Sequence, residues 1–321
     1  MTIIAMKRRS FGLSPREISV LISVRGGERP RKSIGLDLGV SSPELTRLVK
    51  SLESKGFVAV RRHGMSRSVS LSDLKHASQL RRLLDEYGHM NLERILSLAS
   101  LEVLSCLAAR PGSKRAAIVS FSGVSERTLQ TVLERLRELG IVRISTNGTY
   151  AISERFALIA DFVRGLDDYS NQRLAMEFST DSVVVWQRSK DFIIRTCCMR
   201  ETAGFKKTAF SAFESWGVPL FFDRNYYYHT SGSWRRTLDE VFLQSLLIRP
   251  RSARENMAIL MLWERNALWR KLDRLRERAR ALGLDDELET IVAYFKDPEK
   301  NRGSGFPRIS ELKERLGREP Q

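Results

Sequence analysis

Two clusters of cations and hydroxyls in this chain have the residue types needed to hold a polyanion. In "SSPELTRLVKSLESKG", residues 41–56, Leu45, Leu48, Val49 and Leu52 recur at three- and four-residue spacing and share one helix face. Off that stripe stand Ser42, Thr46, Arg47 and Lys50. Small hydroxyls and long cations reach phosphates and base edges without steric conflict, and an arginine such as Arg47 matches O6 and N7 of guanine with two hydrogen bonds. Shortly after, "RRHGMSR" adds Arg61, Arg62, His63 and Arg67, with Gly64 letting the chain approach a backbone closely.

The overall charge agrees. The chain carries 54 Lys+Arg against 38 Asp+Glu, a net charge of +16 over 321 residues. Residues 1–72 alone hold 14 Lys/Arg and 5 Asp/Glu. More than half of the excess therefore sits in less than a quarter of the chain, which points to a nucleic-acid partner for that end.

Other chemistries lack their residues. The three cysteines, Cys106, Cys197 and Cys198, are odd in number, and neighbouring strand residues face opposite sides, so Cys197, Cys198 and His229 do not make a metal site. No phosphate-binding glycine loop, dinucleotide fingerprint or nucleophile turn occurs. No cofactor and no metal is expected, and no enzymatic activity. The opening "MTIIAMKRRS" has the wrong order of charge and apolar residues for a secretory signal, and no apolar run spans a bilayer; a cytoplasmic protein with no membrane partner is the expectation.

The elements that must position the cations are legible around them. Ser14-Pro15-Arg16-Glu17 is a helix start with a capping box, and the helix runs through Ile18, Leu21 and Ile22 to Gly26-Gly27. A short second helix fits Lys32 to Leu38, and the Leu-striped third helix ends at Gly56. The period then changes to two: Phe57 to Arg62 and Ser68 to Leu71 are strands around a turn at His63 to Arg67. From "LSPREISVLISV" through "SVSLS", residues 13–72, this order resembles a MarR-type winged helix-turn-helix module. The resemblance implies that the third helix enters the DNA major groove while the hairpin reaches the adjacent backbone.

The segment recurs. "GVSSPELTRLVKSLESKGFV" begins at Gly39 and "GVSERTLQTVLERLRELGIV" at Gly123, with Leu at the same offsets and Gly at the same stop. Asn147-Gly148 between short apolar strands marks a second hairpin. The second third-helix balances Arg127, Arg135 and Arg137 with Glu126, Glu134 and Glu138, which forfeits phosphate attraction. A packing or dimerising role is expected there.

Beyond it the texture mixes strands and helices. Ser182 to Trp186 and Phe192 to Arg195 read as strands, Lys206 to Trp216 as a helix, Gly217 to Gly232 as aromatic and strand-like, and Thr237 to Ile248 and Ser252 to Asn266 as helices. "TAFSAFESWGVPLFFDRNYYYH" and "RRTLDEVFLQSLLI" resemble the C-terminal domain of AbiEi-like antitoxin regulators over residues 179–266, which implies a nucleotidyltransferase-like fold. A working transferase needs a Gly-Ser turn followed by paired acids for Mg²⁺, and Gly204-Phe205 with the lone Asp223 does not supply them. A catalytically inactive domain is expected. An arginine-rich helix over Trp269 to Leu282, another over Leu284 to Phe295 and a break at Asn301 to Gly305 complete the chain.

The expectation is thus a helix-rich α+β protein: a winged helix over 1–75, a helical linker over 76–99, a second winged helix with a connecting helix over 100–178, an αβ domain over 179–266 and helices over 267–321. Its expected function is that of a sequence-specific, double-stranded-DNA-binding transcriptional regulator acting as a homodimer. The alternative is an antitoxin-like regulator that neutralises a protein partner through 179–321 and represses its own promoter.

Overall fold

The computed structural model describes residues 12–202, 204–220, 223–230, 235–248, 252–301 and 305–317, apart from the His63 side chain. The protein is helix-rich α+β. It forms two compact units that meet in sequence between Asn171 and Gln172.

The first unit starts with α1, Pro15–Ser23, whose capping box closes both ways: Glu17 N–H donates to Ser14 Oγ at 3.2 Å and Ser14 N–H to the Glu17 carboxylate at 2.8 Å. A two-residue strand β1 (Arg29–Pro30) precedes α2 (Arg31–Leu38), which stops at Gly39 with φ 60. Helix α3, Ser42–Ser54, takes its cap from the Ser41 hydroxyl and buries Leu45, Val49 and Leu52. Strands β2 (Val58–His63) and β3 (Ser66–Leu71) then pair, with β1 on the far side of β3. His63 pairs with Ser66, so the turn is Gly64-Met65 alone, tighter than the His63 to Arg67 span expected. Gly64 supplies the positive φ that a two-residue turn needs. Strand β1 is too short for any periodicity to announce it.

The following segment is helical, as α4 (Lys75–Tyr87) and α5 (Leu92–Ile95), and it is no bare spacer. Ala77, Leu80, Leu83, Leu84, Leu92 and Ile95 lie in one apolar core that runs from Leu13 to Leu166. Ser19 bonds Glu93 at 2.5 Å and the Tyr87 hydroxyl bonds the Arg155 carbonyl at 2.7 Å.

The second half of this unit repeats the first. It comprises α6 (Leu98–Ala109), α7 (Arg115–Ser122), α8 (Glu126–Glu138), β4 (Val142–Ile144), β5 (Tyr150–Ile152) and α9 (Ala157–Phe178) as far as Asn171, the rest of α9 belonging to the second unit. Gly123 ends α7 with φ 69 as Gly39 ends α2, and Ser125 caps α8 as Ser41 caps α3. The Phe57 N–H bonds the Leu52 carbonyl and, at the same place in the repeat, the Ile141 N–H bonds the Leu136 carbonyl, each at 2.9 Å. Even the third-strand contact recurs, Arg29 to Val69 in one half and Ser113 to Tyr150 in the other.

The second unit holds a four-stranded antiparallel sheet in the order β6-β7-β9-β8, from β6 (Val183–Arg188), β7 (Asp191–Thr196), β8 (Lys206–Lys207) and β9 (Asn225–His229). Alternation along β7 and β9 feeds two cores. Phe192, Ile194 and Tyr227 join Phe178 and Phe205, whereas Ile193 and Tyr226 join the helical side. That side is built from α10 (Leu238–Leu247), α11 (Ala253–Arg265), α12 (Leu272–Leu282), α13 (Asp285–Lys296) and α14 (Ile309–Gly317). The helix expected from Lys206 to Trp216 is divided: Lys206 and Lys207 pair with β9, the Thr208 N–H bonds the Tyr226 carbonyl at 3.0 Å, and a 3-10 helix covers Ala209–Trp216. Sheet pairing claims the first three residues because β9 offers an open edge. Most of the break expected at Asn301 to Gly305 lies outside the described residues.

Candidate nucleic-acid interface

The sequence-predicted cations divide by what they touch. On α3, Ser42, Arg47 and Lys50 are exposed, and Arg47 and Lys50 have no ion-pair or hydrogen-bond partner among the described residues. Thr46 is half-buried and already engaged: its hydroxyl donates to the Ser42 carbonyl at 2.7 Å and accepts a hydrogen bond from Arg31. On the hairpin, Arg62 and Arg67 stand directly opposite one another. Like charges across a strand pair repel, so this pair favours an anion between or beside them. Arg67 has no partner among the described residues, while Arg62 donates to the Gly64 carbonyl at 3.0 Å. Arg61 turns to the other strand face and pairs with Glu28 at 3.4 Å, and Glu28 also accepts from Ser68. His63 closes β2 by its backbone, and its side chain lies outside the described residues.

Below the surface, a charged network fastens α3 to α1. Lys55 Nζ donates to the Glu17 carboxylate at 2.6 Å and to the Gly12 carbonyl at 2.8 Å, and the Ser51 hydroxyl reaches the same carboxylate at 2.7 Å. Burial pushes the Glu17 carboxyl up, but Lys55, the Ser14 N–H and Ser51 outweigh it and hold it below its ordinary value. At the other end of Lys55, its carbonyl meets His76 Nε2 at 3.1 Å. The His76 ring lies edge-on to Phe57 and stacked on Tyr169. Burial brings this imidazole down to about 4.

Sequence reasoning missed Arg31. It stands at the first position of α2 and its Nη2 donates to the Ser42 carbonyl at 3.0 Å and to Thr46. The signal was present in the repeat: Arg115, the equivalent residue of the second module, opens α7 and donates to the Glu126 carbonyl and to Gln130 Oε1, at 3.5 and 3.3 Å. The offset that takes Gly39 to Gly123 carries Ser42, Thr46, Arg47 and Lys50 to Glu126, Gln130, Thr131 and Glu134. The frame survives and both cations are gone. Gln130 bonds Glu134 at 2.9 Å and Arg143 pairs with Glu154 at 3.4 Å, so that hairpin's cation is engaged as well.

The arginine-rich helix α12 is also neutralised. Asp239, 3% exposed, faces Lys271, Arg274 and Arg278 at 3.9, 3.2 and 3.8 Å. Arg278 pairs with Glu240 at 2.5 Å, Arg276 with Glu289 at 2.6 Å and Arg280 with Asp285 at 3.6 Å. Of the sulfurs and imidazole considered above, Cys197 is exposed, Cys198 is half-buried, and His229 Nδ1 lies 2.7 Å from the Gly204 carbonyl. Among the described residues no group of three or more His, Cys, Asp or Glu side chains is placed to hold a metal ion. No helix among them is long and apolar enough to cross a membrane.

No family model matches this chain, and no curated protein is significantly similar to it.

Proposed function

We propose that the first three-helix and hairpin module is a MarR-like winged helix that binds double-stranded DNA, and that the protein is a sequence-specific transcriptional regulator without enzymatic activity, acting as a homodimer. One observation carries the reading: Arg47, Lys50 and Arg67 are cations with no protein partner among the described residues, on the helix and hairpin of the most basic part of the chain. Protein cations that are exposed and unpaired are the ones able to replace counterions on phosphates. In this reading α3 enters the major groove, Arg47 addresses a base edge, and Arg62 with Arg67 holds the adjacent backbone. The second module is then a winged helix turned to protein contact, and the αβ sheet unit a nucleotidyltransferase-like domain without activity.

Selection of bound DNA from a random library tests the whole reading. A palindromic consensus supports both specificity and a two-fold dimer, and recovery of unselected sequence ends it. The wing has its own test. Replacing Arg62 and Arg67 by Ala is expected to lower the log-log salt slope of binding by about two, whereas Arg61→Ala, already engaged with Glu28, lowers it by about one or less. Equal slopes for wild type and the double variant remove the hairpin from the interface.

The neutralised surface of α12 favours the antitoxin-like reading as the second one, in which residues 179–321 meet a protein partner. A partner captured by the full chain and lost on reversing those ion pairs supports it.

A further inference from the structure

We infer that Arg31 is a specificity-determining residue of the reading face, standing where Thr46 was expected to read. The inference rests on the proposed docking of α3 in the major groove. Thr46 has one hydroxyl, and both its roles are taken: the proton goes to the Ser42 carbonyl, and the oxygen receives Arg31. It has no donor left for a base. Arg31 is held by Nη2 alone, and its Nη1 and Nε have no partner among the described residues. The guanidinium is planar, so fixing one nitrogen on the first turn of α3 fixes the direction in which the others point. An arginine ordered in advance loses less side-chain entropy on contact than the unanchored Arg47 does, and its fork suits the O6 and N7 edge of a guanine.

The second module supplies the internal control. Arg115 makes the same brace to α8, beside Thr131 and Glu134 in place of Arg47 and Lys50. Bracing alone is therefore common to both modules. What is particular to Arg31 is its company, two unpartnered cations on the same face of α3.

The experiment measures base-by-base preference by selection from a DNA library, together with total affinity and melting temperature, for wild type, Arg31→Lys, Thr46→Val and Arg115→Lys. Arg31→Lys keeps the charge and loses the fork. The expected result is total affinity for random DNA within about twofold of wild type and a loss of about tenfold in preference, confined to one base pair. Thr46→Val is expected to relax the same base pair by releasing Arg31, and Arg115→Lys to leave every preference unchanged. Preference loss spread over the whole site means that Arg31 only positions α3, and unchanged preference means that it is not read at all; either overturns the inference while leaving the DNA-binding reading intact. A wild type with no base preference overturns both, and it is measured first.

Discussion

The two modules of the first unit are one frame filled in two ways. Both have a left-handed glycine before the third helix, a serine cap, a leucine stripe and an arginine brace, in the same order and at the same spacing. Where the first places Arg47 and Lys50, the second places Thr131 and Glu134. Where the first ties α3 down with the Glu17 and Lys55 ion pair, the second has Leu101 and Leu139. Residues that set backbone geometry are shared because any substitute costs about 1 kcal/mol in a left-handed conformation. Residues that face solvent are under no such constraint. In the proposed reading, fold and partner are therefore encoded on opposite sides of the same helix.

The largest expected effect lies at the buried ion pair of the first module. Lys55→Ala leaves the Glu17 carboxylate enclosed without its cation and is expected to cost about 3–5 kcal/mol, read as a fall in melting temperature or denaturant midpoint. Installing leucine at both positions, as in the second module, is expected to restore stability to within about 1 kcal/mol of wild type. A double variant as unstable as the single would mean that the two modules are not interchangeable frames.

Exchanging the outward faces comes next. Arg47→Thr with Lys50→Glu gives the first module the second's residues at its two cation positions, and DNA affinity is expected to fall about a hundredfold at moderate salt. Titration by fluorescence anisotropy reads the change, and affinity retained within about threefold would separate the proposed function from α3.

The last contrast is His76: the second hairpin is shorter, so Ser153 stands where Ser72 does, and the counterpart of His76 is Ala157. Its folded imidazole titrates at about 4, below the ordinary 6.5, because burial disfavours the charged form. Between those two pH values the unfolded chain binds more protons than the folded one. Stability present at pH 7 is therefore lost as pH falls from about 6.5 to about 4, by roughly 3 kcal/mol at most. His76→Gln keeps a donor for the Lys55 carbonyl and removes the titration. Its melting temperature should lose the acid-side slope in that window, and an unaltered slope would assign the loss to other groups.

Much of the architecture was legible because its signals are local. The Ser14 and Glu17 capping box, the Gly39 and Gly56 stops, the Leu45 to Leu52 stripe and the Asn147-Gly148 turn each act within a few residues. Helices α10 and α11 follow the expected ranges within one residue at either end. Lys206 and Lys207 read as helical in the sequence because nothing nearby announces that Tyr227 and Tyr228 will pair with them. Strand β1 is silent for the same reason, its partners Ser68 and Val69 lying far along the chain.

The doubled frame, the order of helices and hairpins, and the concentration of positive charge toward one end are all written in the amino-acid order. Each follows from spacing, capping or composition, which need no knowledge of distant contacts. Which charges stay unpaired is fixed only in three dimensions. Glu28 takes Arg61 from 33 residues away, Arg31 takes the Thr46 hydroxyl from 15, and buried Asp239 draws Lys271, Arg274 and Arg278 onto one carboxylate. Pairing of charges depends on distance in space, and a chain read in order carries no measure of that distance until its apolar stripes have packed.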